Sequence, residues 1–170
     1  STRRFVKEEF PRLNIDYQFY NSRDISSLET LIKENTTAIY IETPGTYTFE
    51  IIDIEEVIRV CKKFKLKSII DNTWATALYF NPLEFGVDIV IEAVTKYISG
   101  HSDIMMGAVV ANDENLINLQ RWTRNSGTYV SPDDVYLSLR GLRTLPLRLK
   151  QSSENSFAIA KYLETKKEVK

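Results

Sequence analysis

The chain has 170 residues, 43% of them hydrophobic, with 22 basic and 23 acidic side chains for a formal net charge of −1. That length supports a domain with a buried core, and the near-balance of charge removes the broad positive field of a nucleic-acid binder. No apolar run approaches the roughly 20 residues that span a bilayer, one cysteine (Cys61) excludes an internal disulfide, and one histidine (His101) excludes a His-rich metal site.

In chain order, apolar runs alternate with amphipathic segments. Ile15 to Tyr20 reads as a strand and Ile25 to Lys33 as a helix capped by Asp24 or Ser22. Thr37 to Ile41 reads as a buried strand, closed by the break Thr43-Pro44-Gly45. Ile54, Val57, Ile58, Cys61 and Phe64 form one helical stripe, which makes Cys61 a core thiol; no base stands near it in sequence to activate it. Ser68 to Ile70 reads as a strand, Pro82 to Phe85 as a short helix, and Val87 to Val94 and Gly107 to Ala111 as strands.

The last third is predicted to be helical. Ser131 caps a helix with Pro132 at its first position, sending Val135, Tyr136, Leu139 and Leu142 inward and ending near Gly141. A final helix runs from about Leu147 to Lys166, with a partly exposed apolar face of Phe157, Ile159, Ala160 and Leu163. The basic run Lys161 to Lys170, interrupted by Glu164 and Glu168, reads as a solvated helix end. The pattern is that of an α/β fold, a mostly parallel sheet with helices on both faces. Such sheets bind ligands at the carboxyl ends of their strands.

Two such ends carry chemistry. The run Ser68-Ile69-Ile70 ends in Asp71, and the apolar stretch Ile89-Val90-Ile91 leads to Lys96. A lysine at the mouth of a sheet is partly desolvated, which disfavours its charged form and readies it as a nucleophile. An acid and an amine presented together describe a pyridoxal phosphate site, the lysine forming a Schiff base and the aspartate pairing with the pyridinium nitrogen. The plainer alternative is a solvated lysine and a turn-forming Asp71-Asn72 pair.

Three ordered motifs extend this reading. They are Asp71-Asn72-Thr73-Trp74-Ala75-Thr76, the run Thr95-Lys96-Tyr97-Ile98 continuing through Gly100-His101-Ser102-Asp103, and Ser131-Pro132-Asp133-Asp134 leading to Leu139-Arg140-Gly141-Leu142-Arg143-Thr144-Leu145. Through them the whole chain resembles the Cys/Met-metabolism family of pyridoxal-phosphate enzymes. Trp74 and the segment Glu42-Thr43-Pro44-Gly45 followed by Thr48-Phe49-Glu50 point toward its cystathionine β-lyase branch.

The resemblance implies a fold-type I cofactor domain and assigns roles to residues. Lys96 carries pyridoxal 5'-phosphate and acts as base and then acid, Asp71 holds the ring nitrogen, Thr95 binds the phosphate and Thr73 lies against the ring. Family members often have serine three residues before the lysine; here it is Ala93, which puts more of the phosphate contact on Thr95. Trp74 and Trp122 are expected to pack, Trp74 also shaping the pocket, and Tyr97 is expected to pack on the side opposite Lys96. Arg140 and Arg143 are expected to form structural ion pairs, and His101 to shape its loop.

Family members are roughly twice this long. The resemblance therefore implies that residues 1–145 are part of the large cofactor domain and that residues 146–170 lead toward a C-terminal domain. Ser1-Thr2-Arg3-Arg4 resembles the family's Gly-x-Thr-Arg segment. The implied activity of the whole enzyme is α,β-elimination of cystathionine, an amino-acid thioether, to homocysteine, pyruvate and ammonia, in a cytoplasmic homo-oligomer built as a dimer of dimers. The isolated chain is expected to be inactive. Methionine γ-lyase or cystathionine γ-synthase activity is the alternative within the family. Outside it, the alternative is a catalytically silent truncated product that persists as a folded remnant or assembly partner.

Overall fold

The structure is a computed structural model that describes residues 2–169. Ser1, the first residue of the Gly-x-Thr-Arg-like segment, and Lys170, the last of the basic run, lie outside the described residues. Four strands, β1 (Ala38–Glu42), β2 (Lys67–Asp71), β3 (Ile89–Glu92) and β4 (Ala108–Ala111), form one sheet in the order β1-β2-β3-β4. The first three run parallel and β4 pairs antiparallel to β3, which confirms the mostly parallel α/β architecture.

Strand residues alternate between faces, so one side of the sheet gathers Ile39, Ile41, Ser68, Ile70, Val90 and Glu92, all buried. The helix α3 (Ile54–Phe64) spans the predicted residues and joins this core with Val57, Ile58, Val60 and Cys61. Asp53 caps it by accepting from the Glu56 amide, and Lys65 ends it in the left-handed region. Tyr40, Glu42, Ile69, Asp71, Ile89 and Ile91 stand on the opposite side and are only half-buried.

Several expectations need correction. Ile15 to Tyr20 forms no strand. Its alternation finds no sheet edge, and Phe10, Tyr17 and Phe19 instead stack edge to face while Tyr20 donates to the Tyr40 carbonyl at 3.3 Å. The helix at Ile25 to Lys33 is shorter, a 3-10 turn Ile25–Ser27 running into α2 (Leu28–Leu31). Asp24 caps it; Ser22 donates to Glu50 instead. The strand at Val87 to Val94 shrinks to β3 because the residues after Glu92 enter tight turns.

Three helices had no counterpart among the elements expected from sequence: α1 (Thr2–Glu9), α4 (Thr76–Tyr79) and α5 (Asp113–Ser126). Neither α1 nor α5 has a buried residue, so neither carries a strong apolar stripe. Trp122 on α5 is 64% exposed and does not pack as expected.

The helix α6 (Pro132–Leu142) has the predicted cap, Ser131 accepting from the Asp134 amide at 3.1 Å. Its inward face is different, however. Val135, Tyr136, Leu139 and Leu142 are exposed, while Ser138 and Gly141 are buried. The reason is close approach: a Cβ at Gly141 would lie 2.2 Å from the Ser99 carbonyl oxygen. The last helix, α7 (Leu145–Glu164), buries Leu145 and Leu149 and leaves Phe157, Ile159 and Leu163 exposed, as expected. No helix among the described residues is long and apolar enough to cross a membrane.

One-sided burial is testable. Ile70→Ala is expected to cost about 2–5 kcal/mol, whereas Val109→Ala, at a half-exposed position of β4, is expected to cost under about 1 kcal/mol, both measured by urea unfolding. The buried Cys61 thiol is pushed up to about 11, first by burial and then by Asp88, and burial pushes the Tyr20 phenol up to about 12. The unfolded chain releases these protons first, so stability is complete below pH 9 and falls as pH rises through 11. Cys61→Val is expected to flatten that alkaline loss in a series of urea midpoints.

Candidate active site

The parallel register places Glu42 of β1 beside Asp71 of β2, and Asp71 beside Ile91 of β3. Beyond these strand ends lies an open cavity of about 1140 Å³. Asp71, Thr73, Thr95 and Lys96, the four residues predicted from sequence, all line it. Ala93, Trp74 and Tyr97 line it too, so Tyr97 is not held apart from the site.

Asp71 combines the two readings left open by its sequence. Its Oδ1 accepts the Thr73 amide at 3.0 Å, forming a side-chain turn, and the residue also borders the cavity. The Tyr40 phenol is pushed up by burial; contact with Thr2 opposes the shift, and the Asp71 and Glu42 carboxylates add to it. Thr73 joins two loops: its Oγ1 accepts the Ala93 amide at 2.8 Å.

Thr95 does the same for the turn after β3. Its hydroxyl accepts the Met106 amide at 2.9 Å and donates to the Met106 carbonyl at 3.2 Å. A hydroxyl has one proton to donate, so Thr95 must release Met106 before it can donate to a ligand. Lys96 sits four residues past β3, in a turn closed by its own amide on the Ala93 carbonyl at 2.9 Å. There its side chain is exposed, not partly enclosed as the sequence implied, because the turn carries it clear of the strand ends.

The surrounding groups are structural. His101 Nδ1 lies 2.6 Å from the Ser99 carbonyl. Arg140 pairs with Asp103 at 2.5 Å, whereas Arg143 has no ion pair among the described residues. Trp74 packs edge to face on Phe49 at 5.4 Å and forms one cavity wall. Arg148, Glu42 and Ser152 also line the cavity. The sequence signals no site role for these three, because only the fold brings β1, α7 and the turn after β3 to one cavity.

No cluster of three or more metal-ligating side chains exists among the described residues. The donor set instead suits an organic ligand with an electrophilic carbon for the amine and a positive centre for the carboxylate. Residues 1–170 match the profile of the Cys/Met metabolism PLP-dependent enzymes. The chain is 43% identical over 99% of its length to the L-alanine/L-glutamate racemase of Wolbachia pipientis and 38% identical over 99% to a cystathionine beta-lyase of Haemophilus influenzae. It spans only 41% and 43% of those relatives. It also superimposes with a TM-score of 0.91 on the crystal structure of cystathionine gamma-lyase from Lactobacillus plantarum complexed with L-serine, at 33% identity, covering 96% of this chain and 43% of the other.

Loss of the Thr73 bridge has a measurable cost. Thr73→Val leaves the Ala93 amide without its acceptor and is expected to cost about 1–3 kcal/mol. Thr73→Ser keeps the acceptor and is expected to stay within about 1 kcal/mol of the parent, both read from urea midpoints.

Proposed function

The chain belongs to the Cys/Met metabolism PLP-dependent enzyme family, and from that premise we propose that it carries the central catalytic residues of a carbon–sulfur lyase acting on cystathionine. The observation that supports this reading is the shared cavity: Lys96 and Asp71 line one space beyond the ends of parallel strands. In this assignment Lys96 holds the aldehyde carbon of pyridoxal phosphate, Asp71 its ring nitrogen, Thr95 its phosphate and Thr73 the ring face.

When bound, the cofactor supplies an electron sink for negative charge at the substrate's α-carbon. The chain's own residues do the rest. Lys96 Nζ would take the α-proton and then return a proton toward the departing sulfur. Asp71 would stand against the ring nitrogen and favour positive charge there. The balance is cystathionine and water giving homocysteine, pyruvate and ammonia.

A second reading has a specific observation behind it, the 43% identity to a racemase. Racemisation begins with the same removal of the α-proton and differs in returning it to the other face. The γ-lyase and γ-synthase readings share that first step as well. In the longer protein implied here, residues 1–145 belong to the cofactor domain and 146–170 lead toward a C-terminal domain. That protein works as a cytoplasmic homo-oligomer, a dimer of dimers.

The test is to incubate the purified chain with pyridoxal phosphate, reduce with borohydride and map the labelled peptide. Label on Lys96 alone is expected; Asp71→Asn is expected to weaken the cofactor's absorbance change, and scattered label overturns the assignment. In the longer protein, Lys96→Ala is expected to lower turnover by about 10²–10⁴-fold or more. Pyruvate release from cystathionine supports the lyase, whereas inversion of L-alanine in D₂O with α-deuterium uptake supports the racemase.

A further inference from the structure

Arg148, in the first turn of α7, is half-buried, and its side chain makes four hydrogen bonds within the chain. Its Nη1 donates to the Tyr97 carbonyl at 2.7 Å, Nη2 to the Ile98 and Gly141 carbonyls at 3.2 and 2.8 Å, and Nε to Thr144 Oγ1 at 3.1 Å. No carboxylate lies within ion-pair distance of it among the described residues. A half-buried guanidinium held mainly by backbone carbonyls is unusual, since such charges are ordinarily paired with acids.

The carbonyls after β3 explain the arrangement. Val94 accepts the Ser99 amide, Thr95 the Ser99 hydroxyl, and Lys96 the Gly100 amide, while the Ser99 carbonyl meets His101 Nδ1. Among the described residues the Tyr97 and Ile98 carbonyls, directly after Lys96, have no local donor; Arg148 supplies it, from 51 and 50 residues away in sequence. These two carbonyls are half-buried, where pairing within the chain is the rule, and the guanidinium supplies it.

Neighbouring residues are shaped to admit it. Gly100 has φ +69°, and a Cβ there would lie 2.1 Å from Arg148 Nη1. Gly141 lets α6 approach until a Cβ would collide with the Ser99 and Ile98 carbonyls. The Gly141 carbonyl, at the negative end of α6, completes the charge complement. Only a planar fork serves acceptors on two elements at once; an ammonium is a point donor.

We propose that Arg148 is the positioning residue for Lys96: it clamps the turn that carries the amine to the end of α6 and so fixes the direction in which the amine is presented to the cavity. The importance of that direction rests on Lys96 being the reactive amine, whereas the clamp itself does not. The test uses the full 170-residue chain as parent, Arg148→Lys and Arg148→Met.

Amide hydrogen exchange without cofactor is the first readout. Ser99 and Gly100 are expected to exchange at least about tenfold faster in Arg148→Met, the scale of losing a charge-assisted hydrogen bond, with β2 amides unchanged. Arg148→Lys, which keeps charge and stem, is expected to fall between. Unchanged protection of the turn, or equal loss across turn and sheet, overturns the clamp. Pyridoxal phosphate labelling with borohydride is the second readout, in which both variants are expected to lose selectivity for Lys96. A parent that shows the exchange contrast but no Lys96 label overturns the cofactor reading and upholds the clamp.

Discussion

Everything at the cavity depends on the alternation of β2. Ile70 is fully buried between Ile41 and Val90, and its neighbour Asp71 must therefore face the other side of the sheet. A one-residue slip would drive the carboxylate into the α3 core and bring Ile70 out, exchanging an apolar gain for a buried charge. The side chains of the core thus fix where an acid can stand at the strand end. Parallel pairing with β1 and β3 then sets the neighbouring strand ends beside it.

The loops beyond the strand ends are held by other means. The segments Asn72–Thr73 and Ala93–Gly100 lie beyond the paired strand residues, and side chains close them instead: Asp71 on the Thr73 amide, Thr73 on the Ala93 amide, Thr95 on both backbone groups of Met106, and Arg148 on Tyr97 and Ile98. Irregular backbone becomes rigid when each polar group has a named partner. The arrangement constrains Thr95 in particular, since its one proton serves the Met106 carbonyl. Any acceptor that takes the proton of that hydroxyl must displace the Met106 carbonyl, an exchange that is close to neutral when one acceptor replaces another.

Much of this was legible in the sequence where burial and periodicity coincide. The stripe over Ile54 to Phe64, the strand ending in Asp71 and the Ser131 cap each carry a local signal, and each is found where expected. Ile15 to Tyr20 carries an equally good alternation, but a strand exists only when an edge receives it, and edges are tertiary facts. Helix α5 could have been found from Asn112, the acids Asp113 and Glu114, and Gly127 at its end; its lack of buried residues hid it from an apolar search. Helix α6 was correctly bounded and wrongly oriented, because it approaches the Lys96 turn through its smallest residue instead of its largest. Arg148 gave no signal at all, since its partners are carbonyl groups, which any residue could supply.

The comparisons join proteins named for different reactions, a racemase, a β-lyase and a γ-lyase, through one fold. This has a physical basis in the division of labour within the cavity. Asp71 and Lys96 both stand on turns locked at the sheet ends, the first by the Thr73 amide and the second by the Ala93 carbonyl. Trp74, which lines the same cavity, stacks on Phe49, whose loop holds Tyr47 and Phe49 both at positive φ. Such backbone is costly for residues with side chains and persists only when its surroundings determine it. Here the Glu42 carboxylate holds the loop through the Thr46 amide and hydroxyl, and Gly45 is bonded to both Glu50 and Phe49. The turns that carry Asp71 and Lys96 and the loop that carries Phe49 are therefore fastened by separate sets of hydrogen bonds.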